Sequence, residues 1–333
     1  MSNRSRTTDD ASSSFSRRHF LGTAAAAAAA YSVWPGTASG RAPALIGKAK
    51  GVKIGAITYS FRTMPSSAEE LLGYLTKIGV DTTELMGGPA EEFAGAPKPP
   101  SWSRVGTRMT DAERAEFQKA REAYDKEASA WRKNASMAKF EELGKMYRAA
   151  GVEVDILKLG DPRWSDADID YAFRAAKAVG ARGISFEISD DAATRMGPFA
   201  TKHQMIIGMH NHTQVADEGF SFDRPLEASK YAMLNLDIGH YIAGLGTSPI
   251  PIIRKYHDRI SHLHVKDRQS PDNGGANLPW GQGDTPIGPV LRLLRDEQYP
   301  ITAMIELEYD VPEDSDVLTE MAKCVAYCRG ALS

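Results

Sequence analysis

Cysteine is almost absent from this chain of 333 residues, in which only Cys324 and Cys328 occur, close together near the C-terminus. Two cysteines cannot form a disulfide framework, and this spacing favours two small residues buried on one helix over a metal or redox pair. The sequence also lacks an excess of charge of one sign, since its formal net charge is −3. A general electrostatic attraction to nucleic acid or to anionic lipid is therefore not expected.

A run of about 20 apolar residues, the length that a membrane-spanning helix needs, is also missing. The alanine run at residues 24–30 is shorter, follows paired arginines in the segment 16–21 and precedes small residues at 37–40. This order is typical of a secretory signal, and the arginine pair before Phe-Leu resembles the twin-arginine export signal. We predict that residues 1–45 are a signal peptide and linker. The mature chain is then periplasmic or extracellular, mildly acidic and without a stable membrane span.

The rest of the chain has an ordinary composition for a folded protein, with 42% hydrophobic and 25% charged residues. Eight short apolar segments begin near residues 53, 81, 153, 183, 205, 233, 261 and 301. Several follow a helical pattern that ends in glycine, as at Gly79, Gly151 and Gly180, which is how βα units join. Eight such units predict an α/β fold, a (β/α)8 barrel over residues 46–333. A doubly wound open sheet is the alternative, although no G-x-G-x-x-G follows the first segment.

The second and third segments are too far apart for one βα unit. The interval between them contains the proline-rich run 97–100, which no helix or central strand tolerates, and a charged, helix-prone stretch at 110–148. We predict a loop and one or two extra helices inserted after the second strand, at about 88–148. Loops after strands lie on the active face of a barrel, so the insertion is expected to overhang the mouth or to make a homo-oligomer contact.

Ionisable residues recur where the later strands are predicted to end. These residues are Glu187, His210, His212, Asp237, His262, His264, Glu306 and Glu308. The reactive groups of a (β/α)8 barrel lie at these strand ends, and residues two apart on a strand share a face. Burying so many ionisable groups is costly unless they are paired or bind a metal. Mixed histidine and carboxylate ligands suit Mn²⁺, Zn²⁺, Co²⁺, Fe²⁺ or Mg²⁺, so we predict a divalent metal site.

The motifs at these ends resemble those of the xylose-isomerase-like TIM barrels, the sugar phosphate isomerase/epimerase superfamily. The family pattern has H-N-H after the fifth strand, D-x-G-H after the sixth, H-x-H-x-K-D after the seventh and Glu after the eighth. All four occur here in that order, and the loop Trp280–Asp284 is similar to the family's W-G-x-G-D. The resemblance covers about residues 50–330.

The resemblance implies that metal ligands come from the ends of several late strands. On the matching positions these are Asp237, His264 and Glu306, with Glu308 as the rival of Glu306. Many relatives have a glutamate after the fifth strand, where this chain has two histidines. The rest of the ligand shell therefore stays open among Glu187, His210 and His212, of which we favour Glu187 and His212.

The family mechanism implied by the resemblance is proton transfer at a carbon next to a carbonyl. Glu187 and Glu306 are the expected base and acid, and His240 is expected to act beside them. The expected substrate-binding residues are Lys266, Arg268, Trp280, His210 and Tyr59. Lys158, near the end of the third strand, could also hold a substrate oxygen, but we favour its interpretation as a surface lysine.

Export favours a free sugar, a keto-sugar or a related polyol over a sugar phosphate as the substrate. The sequence thus predicts a metal-dependent isomerase or epimerase that acts on such a carbohydrate by enediolate proton transfer. A 3-keto-glycoside lyase or hydrolase on the same metal site is one alternative. A sugar-binding protein without catalysis, which would need no metal, is another.

Overall fold

The computed structural model describes residues 48–49, 51–101 and 109–333. The predicted signal peptide and linker at residues 1–45 lie outside these residues, so export remains a prediction. Eight parallel strands form one sheet in sequence order, and the first strand also pairs with the last, which closes the sheet into a barrel. The predicted (β/α)8 fold is confirmed, and the open doubly wound sheet is excluded.

The barrel strands begin within one residue of the predicted positions. They are β1 (Val52–Ile57), β2 (Thr82–Met86), β3 (Glu153–Lys158), β4 (Gly183–Glu187), β5 (Ile206–His210), β6 (Ala232–Asp237), β7 (Ile260–Val265) and β8 (Thr302–Ile305). Nearly every residue of these strands is buried, because helices cover the outside of the barrel and side chains fill its interior. A buried strand of this kind is apolar on both faces, which is why short apolar runs located it.

Helices connect the strands around the outside. They are α1 (Ala68–Ile78), α2 (Gly87–Phe93), α3 (Asp111–Arg132), α4 (Met137–Ala149), α5 (Asp166–Val179), α6 (Asp190–His203), α7 (Asp223–Glu227), α8 (Ile238–Leu245), α9 (Ile250–Tyr256), α10 (Ile287–Asp296) and α11 (Val317–Leu332). Helix α1 shows how the sequence sets their limits. A capping box of Ser67 and Glu70 starts it, and Gly79 ends it in the left-handed conformation at φ 79°. None of the described helices is long and apolar enough to cross a membrane.

The helical insertion predicted after the second strand is present. Helices α2, α3 and α4 all lie between β2 and β3, and α4 packs against α5 with Phe140, Leu143 and Tyr147 buried. Helix α3 is mostly exposed, but Arg132 in its last turn makes two hydrogen bonds to Glu91 of α2, at 2.8 and 3.2 Å. This buried ion pair fastens the insertion helix to the connection that leaves β2.

Both cysteines lie in α11 and are buried, as their spacing predicted. Burial raises the pKa of the Cys324 thiol to about 12. A thiol with so high a pKa is not ionised near neutral pH and is a poor nucleophile. The two cysteines are therefore packing residues of the helix.

An ion pair between buried Asp155 of β3 and the partly exposed Arg182 gives a first testable prediction about stability. The Asp155 carboxylate, 4% exposed, accepts hydrogen bonds of 2.8 and 2.9 Å from Arg182, which also donates to the Ser261 carbonyl oxygen at 2.7 Å. We expect Asp155→Asn to lower the free energy of unfolding by about 1–2 kcal/mol at neutral pH, because the partly solvated guanidinium loses its charged partner. Chemical denaturation of both proteins measures this difference.

The pH dependence of that difference follows from the pKa of Asp155. Burial raises this pKa, but the hydrogen bonds and charge of Arg182 more than offset burial and leave the pKa below its usual value. A carboxyl whose pKa is lowered on folding stabilises the protein above its unfolded pKa, and this stabilisation is lost as the pH falls through the folded pKa. The gap between wild type and Asp155→Asn should therefore shrink below about pH 4. A gap that stays constant on acidification would contradict this account.

Candidate metal and active site

Four ionisable side chains meet where β5 to β8 end, at the carboxyl-terminal mouth of the barrel. They are His210, Asp237, His264 and Glu306, here called the quartet, and one ligand atom of each lies within 4.8 Å of the others. Each is at most 4% exposed. His210 Nε2 lies 3.3 Å from Asp237 Oδ2, and His264 Nδ1 lies 3.2 Å from Glu306 Oε2. Two imidazoles and two carboxylates form a donor set that suits a divalent transition metal.

The residues that follow His210 and Asp237 in the chain explain the other positions of the H-N-H and D-x-G-H motifs. Asp237 caps the N-terminus of α8, where its Oδ1 accepts a hydrogen bond of 2.6 Å from the His240 backbone amide. Asn211 donates to the Asp237 carbonyl oxygen and accepts from its amide, at 3.2 and 3.0 Å, which ties the end of β5 to the end of β6. A Cβ at Gly239 would lie 2.5 Å from Lys266 Cγ, so only glycine fits there.

A glutamate that the sequence analysis missed lies directly behind the quartet. Glu84 of β2 is fully buried, and its Oε2 lies 2.5 Å from His264 Nε2 and 3.1 Å from His262 Nε2. Its Oε1 accepts a hydrogen bond from Ser185. Burial would raise the pKa of Glu84, but the two imidazoles hold it well below its usual range. Glu84 is the sole charged residue of β2, and that isolated charge in a buried strand is the signal that could have revealed it.

His264 tests whether the quartet fits a metal. Its Nε2 faces Glu84, whereas its buried Nδ1 has no hydrogen-bond partner within the described part of the chain and faces Glu306. Burial lowers the pKa of His264, but the carboxylates of Glu306 and Glu84 more than compensate and raise it to about 10. Without an ion His264 is therefore protonated near neutral pH, and a bound divalent ion would replace the proton on Nδ1. A carboxylate on the opposite nitrogen, as Glu84 is here, is the usual arrangement of a metal-binding histidine. The quartet therefore fits a divalent ion.

His210 repeats this arrangement and joins the quartet to a second group. Its Nε2 faces Asp237, and its Nδ1 lies 2.9 Å from Glu187 Oε2. Glu187 Oε2 also lies 2.8 Å from His212 Nε2, and Glu187 Oε1 accepts a hydrogen bond of 3.0 Å from Lys158 Nζ. Glu187 and His212, the two further metal ligands favoured from the sequence, therefore lie outside the quartet. With His210 they form a second group, which is connected to the quartet because His210 belongs to both.

Lys158 corrects one interpretation made from the sequence. Its side chain is only 20% exposed and pairs with Glu187, so it is not a simple surface lysine. Burial would raise the pKa of Glu187, but hydrogen bonds from His210 and His212 and the charge of Lys158 hold it well below its usual range. Glu187 is therefore ionised near neutral pH while its side chain remains 53% exposed.

Lys266 supplies the positive charge on the other side of the quartet. Its ammonium lies 2.9 Å from both Asp237 Oδ2 and Glu306 Oε2, and 2.5 Å from Glu308 Oε2. Both Glu306 and Glu308 thus pair with Lys266, but only Glu306 also belongs to the quartet. His240 Nε2 lies 2.9 Å from the same ammonium, and burial together with the charge of Lys266 lowers the pKa of His240 to about 3. The imidazole of His240 is therefore neutral.

The three other expected substrate-binding residues lie in different surroundings. Arg268 Nη1 lies 2.5 Å from His240 Nδ1, which connects it to the quartet through Lys266. Tyr59 follows β1, is 38% exposed and has the Arg62 guanidinium 4.7 Å from its ring centre. Trp280 packs edge-on against Tyr327 of α11, with ring centres 5.7 Å apart.

The loop that carries Trp280 is held by the aspartate of the seventh-strand motif. Asp267 Oδ2 accepts hydrogen bonds from the Gly281 and Gly283 amides at 2.7 and 3.0 Å. A Cβ at Gly283 would lie 2.4 Å from Asp267 Oδ1, which explains the glycine. This part of the motif therefore shapes the loop after β7.

A cavity of about 490 Å³ opens beside the second group. Its walls include Lys158, Asp161, Ser185 and Glu187, from the ends of β3 and β4 and the loop after β3. A cavity of this size accommodates a small organic molecule. Such a molecule would contact the exposed Glu187 carboxylate, which also contacts His210 of the quartet.

Comparison with known proteins confirms the resemblance drawn from the strand-end motifs. Residues 188–326 match the family model described as xylose isomerase-like TIM barrel. Over 138 residues the chain is 28% identical to an inosose dehydratase from Clostridium tetani, a match that covers 35% of this chain and 45% of that protein. The chain thus spans about half the length of the curated relatives it matches.

Solved structures agree on the fold. The 3-keto-D-glucoside 4-epimerase of E. coli aligns with a TM-score of 0.53 at 14% identity, over 84% of this chain and 99% of that one. A probable 3-DHS dehydratase from Bacillus anthracis gives a TM-score of 0.54 at 14% identity, over 83% of this chain and 99% of that one. At these identities the likeness shows a shared barrel, while the activity has to be argued from the site.

Proposed function

We propose that this chain is a metal-dependent enzyme that transfers a proton at a carbon next to the carbonyl of a sugar. The observation that carries this proposal is the position of the quartet beside a cavity lined by the ionised, half-exposed Glu187. The name of the relative from Clostridium tetani supports it, because a dehydratase that acts on a carbonyl compound can begin by removing such a proton. The first candidate is an isomerase or epimerase reaction.

The quartet would hold the ion through the two carboxylates, His264 Nδ1 and His210 Nε2. When bound, a divalent ion supplies the positive charge that stabilises the substrate oxygens as the C–H bond breaks. Glu84 and Glu187 fix the two imidazoles from behind. The quartet would thus provide an ordered donor set without a large rearrangement of these side chains.

Glu187 is the group that we propose takes the proton. Its carboxylate is ionised, lines the cavity, and is oriented by His212 and Lys158 at 2.8 and 3.0 Å. Glu306 contacts His264 and Lys266, whereas Glu187 contacts His210, so the two carboxylates lie on different sides of the quartet. Carboxylates on two sides of a substrate can remove a proton from one face and return one to the other.

We propose a free sugar, a keto-sugar or a related polyol as the substrate. The export signal predicted at residues 1–45 would place the mature chain outside the cytoplasm, which favours such compounds over sugar phosphates. The cavity adds hydrogen-bonding groups from Lys158, Asp161 and Ser185, which suit hydroxyl groups.

A lyase reaction on the same site is the second candidate. The relative from Clostridium tetani is named a dehydratase, and loss of a substituent from the neighbouring carbon can follow the same proton removal. In this proposal Glu187 takes the proton in the first step of either reaction, so the fate of the substrate after that step has to be measured.

Solvent exchange tests the proposed function. Purified protein supplied with Mn²⁺ or Zn²⁺ should introduce deuterium from D2O at the carbon next to the carbonyl of 3-ketoglucose, a 3-keto-glucoside or a ketohexose. Proton nuclear magnetic resonance records the exchange, and the accompanying product separates epimerisation from loss of the aglycone. Binding of these sugars without exchange would favour the sugar-binding protein instead.

A further inference from the structure

A second cavity, of about 540 Å³, lies next to the one that contains Glu187. Asp161 and Arg163, in the loop after β3, line both cavities, so the two adjoin. The far wall of the second cavity comes from the insertion helix α3, through residues such as Arg121 and Ser129. Together the two cavities form a groove that leads from Glu187 to the insertion, here called the insertion groove.

The floor of the second cavity is rigidly built. Arg132 is 6% exposed, bonds to Glu91 through two nitrogens, and lies with its guanidinium 3.7 Å from the centre of the Trp164 ring. An arginine fixed by a bidentate carboxylate and a stacked aromatic ring loses little further freedom when a ligand binds. The position of Trp164 at this wall is therefore determined before a ligand enters.

One buried polar atom at this wall lacks a partner. Asp168 is 4% exposed, and its Oδ2 accepts hydrogen bonds from Ser129 and Ser165 at 2.8 and 2.7 Å. Its Oδ1 is buried and has no hydrogen-bond partner among the described residues. An unpaired buried carboxylate oxygen is costly, and a ligand hydroxyl that donates to it would remove this cost.

Each arginine of the second cavity is paired with a carboxylate, and Asp168 adds a further negative charge. Arg163 lies 2.5 Å from Asp161, Arg121 lies 3.3 Å from Asp125, and Arg132 is bound to Glu91 as described. A cavity that recognised a phosphate would need positive charge in excess of its carboxylates. Arginines that are already paired, the ring of Trp164 and the unpaired acceptor Asp168 Oδ1 instead suit a neutral ligand rich in hydroxyl groups.

We propose that the insertion groove binds the second ring of a disaccharide or glycoside whose first ring lies beside Glu187. The inference rests on the proposed function for the position of the first ring, and it adds that the natural substrate is larger than one monosaccharide. A hydroxyl of the second ring donates to Asp168 Oδ1, and Arg163 at the junction of the cavities contacts the linkage between the rings.

Calorimetric titration with glucose, cellobiose, maltose and trehalose tests this inference. We expect the wild-type chain to bind at least one disaccharide about tenfold more tightly than glucose. Asp168→Asn and Arg163→Ala should each reduce this preference to less than about threefold, because each removes a polar contact to the second ring. The matched controls are Asp166→Asn, an exposed carboxylate in the first turn of the same helix, and Arg114→Ala, an exposed arginine of α3. Both controls should keep the wild-type preference.

Equal affinity for glucose and all three disaccharides would overturn the inference, and so would a preference that persists in both groove variants. Arg163 is exposed, so its variant tests the groove even if Asp168→Asn fails to fold. A failure of the proposed function would look different. In that case the disaccharide preference would remain, but neither 3-ketoglucose nor 3-ketocellobiose would take up solvent deuterium.

Discussion

Glu187→Gln and Glu306→Gln should each reduce solvent deuterium exchange at the substrate carbon by about 10³-fold. The amide keeps the shape of each side chain but can neither accept nor return the proton. Glu187 is half-exposed in the cavity, and Glu306 is buried beside His264. The two side chains have different surroundings, but in both variants the carboxylate that exchanges the proton is replaced by an amide. Single-turnover exchange followed by nuclear magnetic resonance gives both rate constants without interference from product release.

Glu313→Gln is the control for this pair, because Glu313 is an exposed glutamate in the loop after β8. It should exchange the substrate proton at the wild-type rate. Exchange that persists in both Glu187→Gln and Glu306→Gln would rule out the proposed carboxylate pair. Loss in Glu306→Gln alone, in protein that still contains the ion, would assign the proton transfer to Glu306 and leave Glu187 as the residue that orients His210.

Asp237→Asn should weaken the binding of Mn²⁺ or Zn²⁺ by at least about 100-fold. The amide keeps the cap of α8, since asparagine is a good N-cap residue, but it removes one of the two negative charges of the quartet. Glu84→Gln should have a smaller effect, about 10- to 100-fold, because it alters the carboxylate behind His264 while leaving the quartet intact. Competition titration with a coloured chelator measures both affinities.

The exposed Asp258 offers a control for the metal titration, and Asp258→Asn should bind the ion as the wild type does. Circular dichroism of every variant shows whether the barrel has formed. Unchanged affinity in a folded Asp237→Asn protein would show that the ion binds elsewhere. Unchanged affinity in Glu84→Gln alone would mean that His264 needs no carboxylate partner.

The fold could be predicted closely because its determinants are local. Each barrel strand is a short buried run next to a helix, and glycines such as Gly79 and Gly180 end two of these helices in the left-handed conformation. The charged insertion helix α3 was also visible, since its long exposed surface excludes a place in the core. Side-chain caps mark the start of helices such as α1, α3 and α5, whereas α2, α4 and α10 begin without one.

The site could be predicted only in part because its contacts are long-range. Glu84 meets His262 across 178 positions of sequence, a pairing that closure of the barrel creates. Local patterns also do not show that Lys266 contacts Asp237, Glu306 and Glu308 together, or that Glu306 and not Glu308 belongs to the quartet. Trp280 follows a family-like motif, yet it packs against Tyr327 because α11 runs past that loop.

The most direct test of the central claim measures metal content and proton exchange in one preparation. The mature chain should contain about one divalent ion per molecule, and deuterium exchange into a keto-sugar should stop on chelation and return when the ion is restored. The quartet, in which His264 Nδ1 faces Glu306 and each imidazole has a carboxylate behind it, predicts this result. Exchange that continues at the same rate in fully chelated protein would contradict it.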